Sequence, residues 1–460
     1  MNSLKTDVAV IGCGIAGLTA AKQVARRGKQ VAVFSKAYGA TAMSTGVADI
    51  ANPTVIRIPL EPPDGLLRKR YGTNPNHPYG LILKRESQNT SRPLREGENG
   101  CGETITKAIS DFKEDMRNEK YPVEGSLEHN MLIINSIGLI RTTCLAPPSV
   151  GRGDLTRMEK GRIVFVGFKR HSDYDPNRCY QNFTSIKSIL RLPLEVNGCS
   201  STVIDLPNFE GRNTLLSIEV AREIEREEGV AKKVGRMIAG AANGLGATHA
   251  CLPPCMGIRN VEENMKIIGE ESGLIPFECV NLTPPSVLGY RLQLALDDSA
   301  SDSGVPIMLP YETSAFEAEG KTLRNMTVVS GERKFQVEAE KFVLATGSFI
   351  GGGIVEKDET AKEPLLNLPL FDENGREADG VFIRTMLSSE AVPMGGHSVF
   401  SIGVKVNENM QPTTTQGEVI YGNLFACGNI LSGFSHTSGG CRYGVAISTG
   451  YVAGDEASRN

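Results

Sequence analysis

The segment VAVIGCGIAGLTAA, Val8 to Ala21, sets three glycines, Gly12, Gly14 and Gly17, between an apolar run and a helical pattern. Val8 to Ile11 reads as a buried strand. Ile15 to Arg27 reads as a helix, with apolar positions at Ile15, Leu18, Ala21, Val24 and Ala25. Gly28 is the expected C-cap, and Val31 to Phe34 the second strand. In such a βαβ unit one glycine serves the tight turn, one the close approach to a phosphate, and one helix–strand packing. The helix N-terminus adds free N–H groups and a positive dipole end. The segment predicts a Rossmann-like α/β fold that holds a phosphate-bearing cofactor.

The residue that identifies the cofactor is of the wrong type. A second strand of this kind ends in Asp or Glu, which holds an adenosine ribose hydroxyl. Here VAVFSK ends in Ser35 and Lys36. That argues against NAD and weakens the case for the adenosine half of FAD. FMN has one phosphate and no adenosine, so FMN is the expected cofactor. FAD is the alternative, because serine still donates and accepts hydrogen bonds.

Further stretches complete a flavin site. In YGATAMSTG, Tyr38 to Gly46, the small and hydroxylated residues Thr41, Ser44, Thr45 and Gly46 suit a loop against a ribityl chain and ring. KFVLATGSFIGGG, Lys341 to Gly353, is a buried strand running into a turn at Gly347. Before it come a helix, Ser286 to Asp298, with Leu288, Leu292 and Leu296 at i+4 spacing, and a β-meander. Near the C-terminus a strand, Leu424 to Cys427, ends at Gly428 and Asn429. A turn at Gly439 and Gly440 then opens a helix from about Val445. This order resembles two-domain flavoproteins of the fumarate-reductase and glutathione-reductase type. There the strand end contacts the ribityl chain, and the helix N-terminus stabilises negative charge at the pyrimidine edge.

Residues 160–281 read as a second α/β domain. Its strands are Ile163 to Phe168, Thr202 to Leu206, Thr248 to Leu252 and Pro276 to Asn281, with helices near 178–191, 213–228, 230–243 and 260–272. It interrupts a discontinuous flavin-binding domain made of 1–60, 282–355 and 395–460. Residues 61–159 read as a loop-rich substrate or cap region, and 356–394 as a connecting cap segment. EPPDGLLRKRYGTNPNHPYG, rich in turn residues, reads as a loop over the site.

Bulk properties exclude several classes. Lys and Arg number 49 against 53 Asp and Glu, a net charge of −4, which gives no electrostatic case for nucleic acid or an anionic membrane. The 50 glycines fit a chain that wraps a large flat cofactor as well as one with many turns. The 10 cysteines include Cys251 and Cys255 in CLPPCMG, with no second pair at zinc or iron–sulfur spacing, so no metal is expected. No signal peptide and no membrane span are read, and the expected location is cytoplasmic.

At LTPPSVLGYRLQ, Leu282 to Gln293, the chain resembles the B-type subunit of anaerobic glycerol-3-phosphate dehydrogenases. HPYGLI, GLIRTTCLAP, CLPPCMGI and VLATGSFIGGGIVEK extend the resemblance in order along nearly the whole chain. GFSHTSGGCRYG and the charged segment Lys84 to Glu124 depart from the family pattern. The resemblance implies FMN and a complex. An A-type flavoprotein subunit oxidises sn-glycerol 3-phosphate to dihydroxyacetone phosphate, and a C-type iron–sulfur subunit passes electrons to membrane quinone. Membrane contact is then expected only through a partner, on the inner face.

Oxidising a secondary alcohol needs a hydride acceptor, a base and a cation for the phosphate. His436, just before the ring-facing helix, is the candidate base, ahead of His77 and His397. Arg141 and Arg442 are the candidate oxyanion clamp. Two other readings stay open: a flavin-binding scaffold or relay subunit without turnover, and a stand-alone FAD enzyme of the fumarate or succinate type.

Overall fold

The computed structural model describes residues 3–459 except 54, 72–73, 91–101, 159–160, 191–199, 207–208, 210, 228, 283–285, 392 and 394. Residues 283–285 of LTPPSVLGYRLQ and part of the Lys84 to Glu124 segment therefore lie outside the described residues.

The chain opens with β1 (Ser3–Ile11), α1 (Ile15–Arg26) and β2 (Val31–Phe34). Three helices follow, α2 (Pro63–Tyr71), α3 (Pro78–Thr90) and α4 (Glu103–Asn118), then a hairpin of β3 (Met131–Ile134) and β4 (Ile140–Thr143). Next come β5 (Ile163–Phe168), α5 (Pro176–Leu190), β6 (Ser200–Ile204), α6 (Ser217–Arg226), α7 (Val230–Ala242), β7 (His249–Leu252), α8 (Val261–Ser272) and β8 (Ile275–Glu278). The chain then runs through α9 (Val287–Asp302), β9 (Ile307–Met308), β10 (Glu312–Glu319), β11 (Thr322–Ser330), β12 (Arg333–Leu344), β13 (Leu424–Ala426) and α10 (Arg442–Ala457).

The larger sheet has the order β9-β2-β1-β12-β11-β10, and β13 also pairs with β12. On the edge opposite β1, β12 divides its length between two partners. Arg333 to Glu338 pair antiparallel with β11, and Phe342 to Leu344 pair parallel with β13. β1 and β2 are buried on both faces over Val8–Ile11 and Val31–Phe34, which is why they read as unbroken apolar runs. α10 covers α1 at close range. A Cβ on Gly450 or Gly454 would stand 2.4 Å from the carbonyl oxygen of Ala16 or Ala20, so only glycine admits this approach.

The smaller sheet, β8-β7-β5-β6, is parallel throughout. Its central strand β5, IVFVGF, is fully buried and has helices packed against it. Cys251 and Cys255 here are buried free thiols. The two units meet at a small apolar cluster that includes Val47, Ile133, Val280 and Leu288.

Two expectations need correction. The region 61–159, read as loop-rich, holds α2, α3 and α4, and the stretch EPPDGLLRKRYGTNPNHPYG starts two of them. Leu66, Leu67, Tyr79 and Ile82 from this region are buried in the main core, so burial overrides its turn-rich composition. The last helix starts at Arg442 rather than near Val445, which places Arg442 and Tyr443 in its first turn.

Candidate flavin site

β2, β1, β12 and β13 run parallel and stop in register, with Phe34 opposite Ile11, Ile11 opposite Leu344, and Leu344 opposite Ala426. From this edge leave the turn at Gly12–Gly14 and the loops 35–46, 345–353 and 427–441. The carboxyl edge of a parallel sheet is where such folds bind ligands.

Gly12 has φ +111°, and a Cβ there would lie 2.3 Å from the carbonyl oxygen of Ala345. A Cβ on Gly17 would lie 2.0 Å from the carbonyl oxygen of Gly12. The turn is thus pressed onto both α1 and the end of β12. Gly14 is the N-cap of α1 and brings no capping side chain. Thr41 caps instead, its Oγ1 accepting from the Ile15 N–H at 3.1 Å. Ser44 donates to the Thr41 carbonyl at 2.6 Å, and the Tyr443 hydroxyl donates to Ser44 Oγ. Gly46 and Gly289 let α9 touch this loop. A Cβ on Gly289 would stand 2.4 Å from the Ser44 carbonyl oxygen.

The other two loops carry buried polar atoms without partners among the described residues. Thr346 Oγ1 precedes Gly347, and Asn429 Oδ1 follows Gly428, whose N–H donates to Thr449 Oγ1 at 2.9 Å. His436 Nδ1 is a third. Buried polar groups are nearly always satisfied. A glycine cradle bordered by orphaned acceptors fits a phosphate-bearing, hydrogen-bonding flavin. Gly439 and Gly440 close the loop, with the Gly440 carbonyl taking the Asn52 N–H at 2.9 Å.

Gly17→Ala is expected to yield protein with little or no bound flavin, because the clash is with backbone. Gly28→Ala meets nothing within 4 Å but keeps a φ of +76°. It is expected to cost only about 1–2 kcal/mol and to retain the cofactor. The flavin-to-protein absorbance ratio of the two purified variants checks this.

Arg141, Arg442 and His436 come to the same neighbourhood, although 92 residues separate Arg141 from its main partner. Arg141 on β4 pairs with Asp49 Oδ2 at 2.6 Å and reaches Thr45 Oγ1 at 3.4 Å. Arg442 has its guanidinium 5.7 Å from the Tyr443 ring centroid. The charges of both arginines act on the Tyr443 phenol, and burial pushes that phenol's pKa up. His436 is buried, and its Nε2 lies 3.3 Å from the Leu431 carbonyl. A carbonyl only accepts, so Nε2 carries the proton and Nδ1 the lone pair. Burial, opposed by the Leu431 carbonyl and reinforced by Arg442, lowers its pKa to about 4.

Ser35 and the remaining histidines are engaged otherwise. The Ser35 hydroxyl donates to the Ala37 carbonyl at 2.9 Å. His397 accepts the Ser388 N–H on Nδ1 and faces the Ala391 carbonyl with Nε2, so it holds its own loop. His77 accepts the Tyr79 N–H on Nδ1, with Nε2 3.8 Å from Cys441 Sγ. Sequence reasoning missed Asp49 and Tyr443. Only the early start of α10 would have flagged Tyr443, and nothing local marks Asp49.

The FAD binding domain family matches residues 7–445. The B-type subunit of the anaerobic glycerol-3-phosphate dehydrogenase of Actinobacillus pleuropneumoniae serotype 5b is 26% identical over 451 residues, 98% of each chain. That of Haemophilus influenzae (strain KW20 / Rd) is 27% identical over 478 residues, again 98% of each. Among solved structures, an open flavocytochrome c3 fumarate reductase aligns with 99% of this chain and 78% of its own, at 10% identity and a TM-score of 0.40. A 3-ketosteroid delta1-dehydrogenase from Sterolibacterium denitrificans aligns over 99% of both chains, at 11% identity and the same TM-score of 0.40. With the glycine turn, the capping loop and the strand edge all inside the matched span, the chain belongs to the FAD binding domain family.

Proposed function

We propose that this chain is the flavin-bearing, B-type subunit of an anaerobic glycerol-3-phosphate dehydrogenase. In this reading sn-glycerol 3-phosphate becomes dihydroxyacetone phosphate, and electrons pass through a C-type iron–sulfur subunit toward quinone, with an A-type flavoprotein subunit as the other partner. The gathering of Arg442, His436, Tyr443 and the Arg141–Asp49 pair beside the cofactor edge carries the reading. Relatives bearing that name align along 98% of the chain. Among the described residues no helix is long and apolar enough to cross a membrane, so membrane contact is assigned to a partner.

A bound flavin supplies a two-electron acceptor; FAD, which the family binds, is the form we favour over FMN. The chain's own residues divide the remaining work. Alcohol oxidation releases a hydride and a proton, and His436 Nδ1, unprotonated and unpartnered, takes the proton. Arg442 has no carboxylate within ion-pair distance among the described residues and takes the substrate phosphate. Arg141 is already neutralised by Asp49 and orients the loop that carries Ser44 and Thr45.

That neutralised Arg141 favours one second reading, in which the chain relays electrons and a partner oxidises the alcohol. Anaerobic addition of sn-glycerol 3-phosphate to the isolated chain, and to the co-expressed complex, separates the two. Bleaching of the flavin in the isolated chain is the expected result. Bleaching in the complex alone assigns turnover to a partner. A complex that is not bleached by this substrate but responds to succinate overturns the proposal.

A further inference from the structure

In a βαβ cofactor fold the adenosine of a dinucleotide lies beyond the glycine turn, against the end of the second strand. Three parts of this chain meet there. From the turn, Cys13 sends its thiol toward the Ala37 carbonyl at 3.7 Å. From the strand end, Ser35 gives its hydroxyl proton to that same carbonyl, and Lys36 pairs outward with Glu312 at 3.0 Å. The third part is α9, far along the sequence. Gln293 on it is fully buried, and its Nε2 donates to the Cys13 carbonyl and to Asp297 Oδ1, at 2.8 Å each. The Tyr38 phenol lies close enough to the Asp297 carboxylate for each to act on the other's titration, and the Asp297 charge also reaches Cys13.

Two acceptors flank the Gln293 amide nitrogen, which fixes the amide's orientation. Its Oε1 is therefore a buried acceptor, and it has no partner among the described residues. The second oxygen of the half-buried Asp297 carboxylate is another acceptor. A ribose diol brings two hydroxyl donors. The strand lacks its customary acid, yet a carboxylate stands beside the same turn, delivered by a different element.

We propose that Asp297, together with Gln293, replaces the missing strand-end acid and holds the adenosine ribose of FAD. The proposal rests on the flavin reading and deepens it by choosing the dinucleotide form. It also accounts for the contrast between VAVFSK, which favours FMN, and a family that binds FAD. Asp297 is reserved for cofactor retention and plays no part in the alcohol chemistry.

The test compares FAD with FMN on the wild-type chain and on Asp297→Ala and Asp297→Asn. Flavin released by denaturation is identified first. Dissociation constants for each flavin are then measured by fluorescence on stripped protein. Wild type is expected to release FAD. Asp297→Ala is expected to weaken FAD about tenfold or more, and FMN by less than about twofold, since FMN has no adenosine to lose a charged hydrogen bond. Asp297→Asn, which keeps an acceptor of the same shape, is expected to fall between. Equal weakening of both flavins would mean general damage to the turn, and unchanged FAD affinity would remove Asp297 from the site. Either overturns the proposal, as does a wild type that prefers FMN, which leaves the flavin reading standing. A wild type that binds neither flavin sinks both.

Discussion

Arg291→Met is expected to cost about 3–5 kcal/mol of folding stability, the penalty for leaving a buried charge without its partner. The Arg291 side chain is 1% exposed and that of Glu278 0%. The guanidinium binds the carboxylate through two bonds, of 2.6 and 2.9 Å, and its Nε donates to the Gly257 carbonyl at 2.9 Å. Glu278 also accepts the Met256 N–H at 2.9 Å. The pair ties the end of β8 and the loop after β7 to α9. Gly289 and Gln293 on that helix press on Ser44 and hold Cys13, so the loss is expected to reach the cofactor loops. Domains of ordinary stability hold only about 5–15 kcal/mol in reserve. Arg291→Met and Glu278→Leu singly should thus show a large drop in urea midpoint and a reduced flavin content. The double variant Arg291→Met/Glu278→Leu should recover part of the stability, because it removes both charges from the interior but leaves the Met256 N–H and the Gly257 carbonyl without these partners. A double variant as unstable as the worse single would mean that the loss comes from packing and the lost backbone hydrogen bonds rather than from an abandoned charge.

Sequence pattern reveals much of the frame and little of the site. Val31–Phe34 and Ile163–Phe168 are legible to the residue, because strands buried on both faces admit only apolar side chains. The start of α9 is legible because Ser286 is a capping residue, and its hydroxyl does accept the Gly289 N–H, at 3.1 Å. Composition hides α2 and α3. Pro63 and Pro78 resemble turn punctuation but stand at the first position of a helix, where a missing N–H costs nothing. Gly444 likewise suggests a turn, although it lies within α10. A Cβ there would meet the Tyr79 hydroxyl at 1.9 Å, so the glycine serves packing. Asp49 and Arg141, or Cys13 and Gln293, are joined by no local periodicity. Only tertiary folding brings them together, and a single sequence carries no signal of which distant polar residue will be the partner.

Acidification is expected to destabilise the protein from just below neutral pH, and two histidines are expected to account for much of the effect. Burial lowers the pKa of His77 to about 3 and that of His436 to about 4, against 6.5 when unfolded. Between pH 6.5 and the folded values the unfolded chain binds more protons than the native one, so stability rises with pH across that window and falls on acidification. Each histidine is expected to withdraw about 2 kcal/mol between about pH 7.5 and 5, since each pH unit across the window is worth ~1.4 kcal/mol. Substitutions that preserve the hydrogen bonds isolate this effect. His77→Asn keeps an acceptor near the position of Nδ1 for the Tyr79 N–H. His436→Gln keeps a donor near the position of Nε2 for the Leu431 carbonyl. Each variant is expected to start somewhat less stable near neutral pH, because the rings of His77 and His436 both pack on Phe434. Each should nevertheless lose about 2 kcal/mol less than wild type by about pH 5. A steeper loss at lower pH should survive in both. Burial raises the Asp455 pKa, but the hydrogen bond from Arg27 and the charges of Arg27, Arg459 and Arg85 outweigh it, and that carboxylate must still be protonated. Denaturant midpoints measured across this range decide the matter. Parallel curves for wild type and both variants would mean that the imidazoles are protonated in the folded protein, and would remove the basis for an unprotonated His436 as proton acceptor.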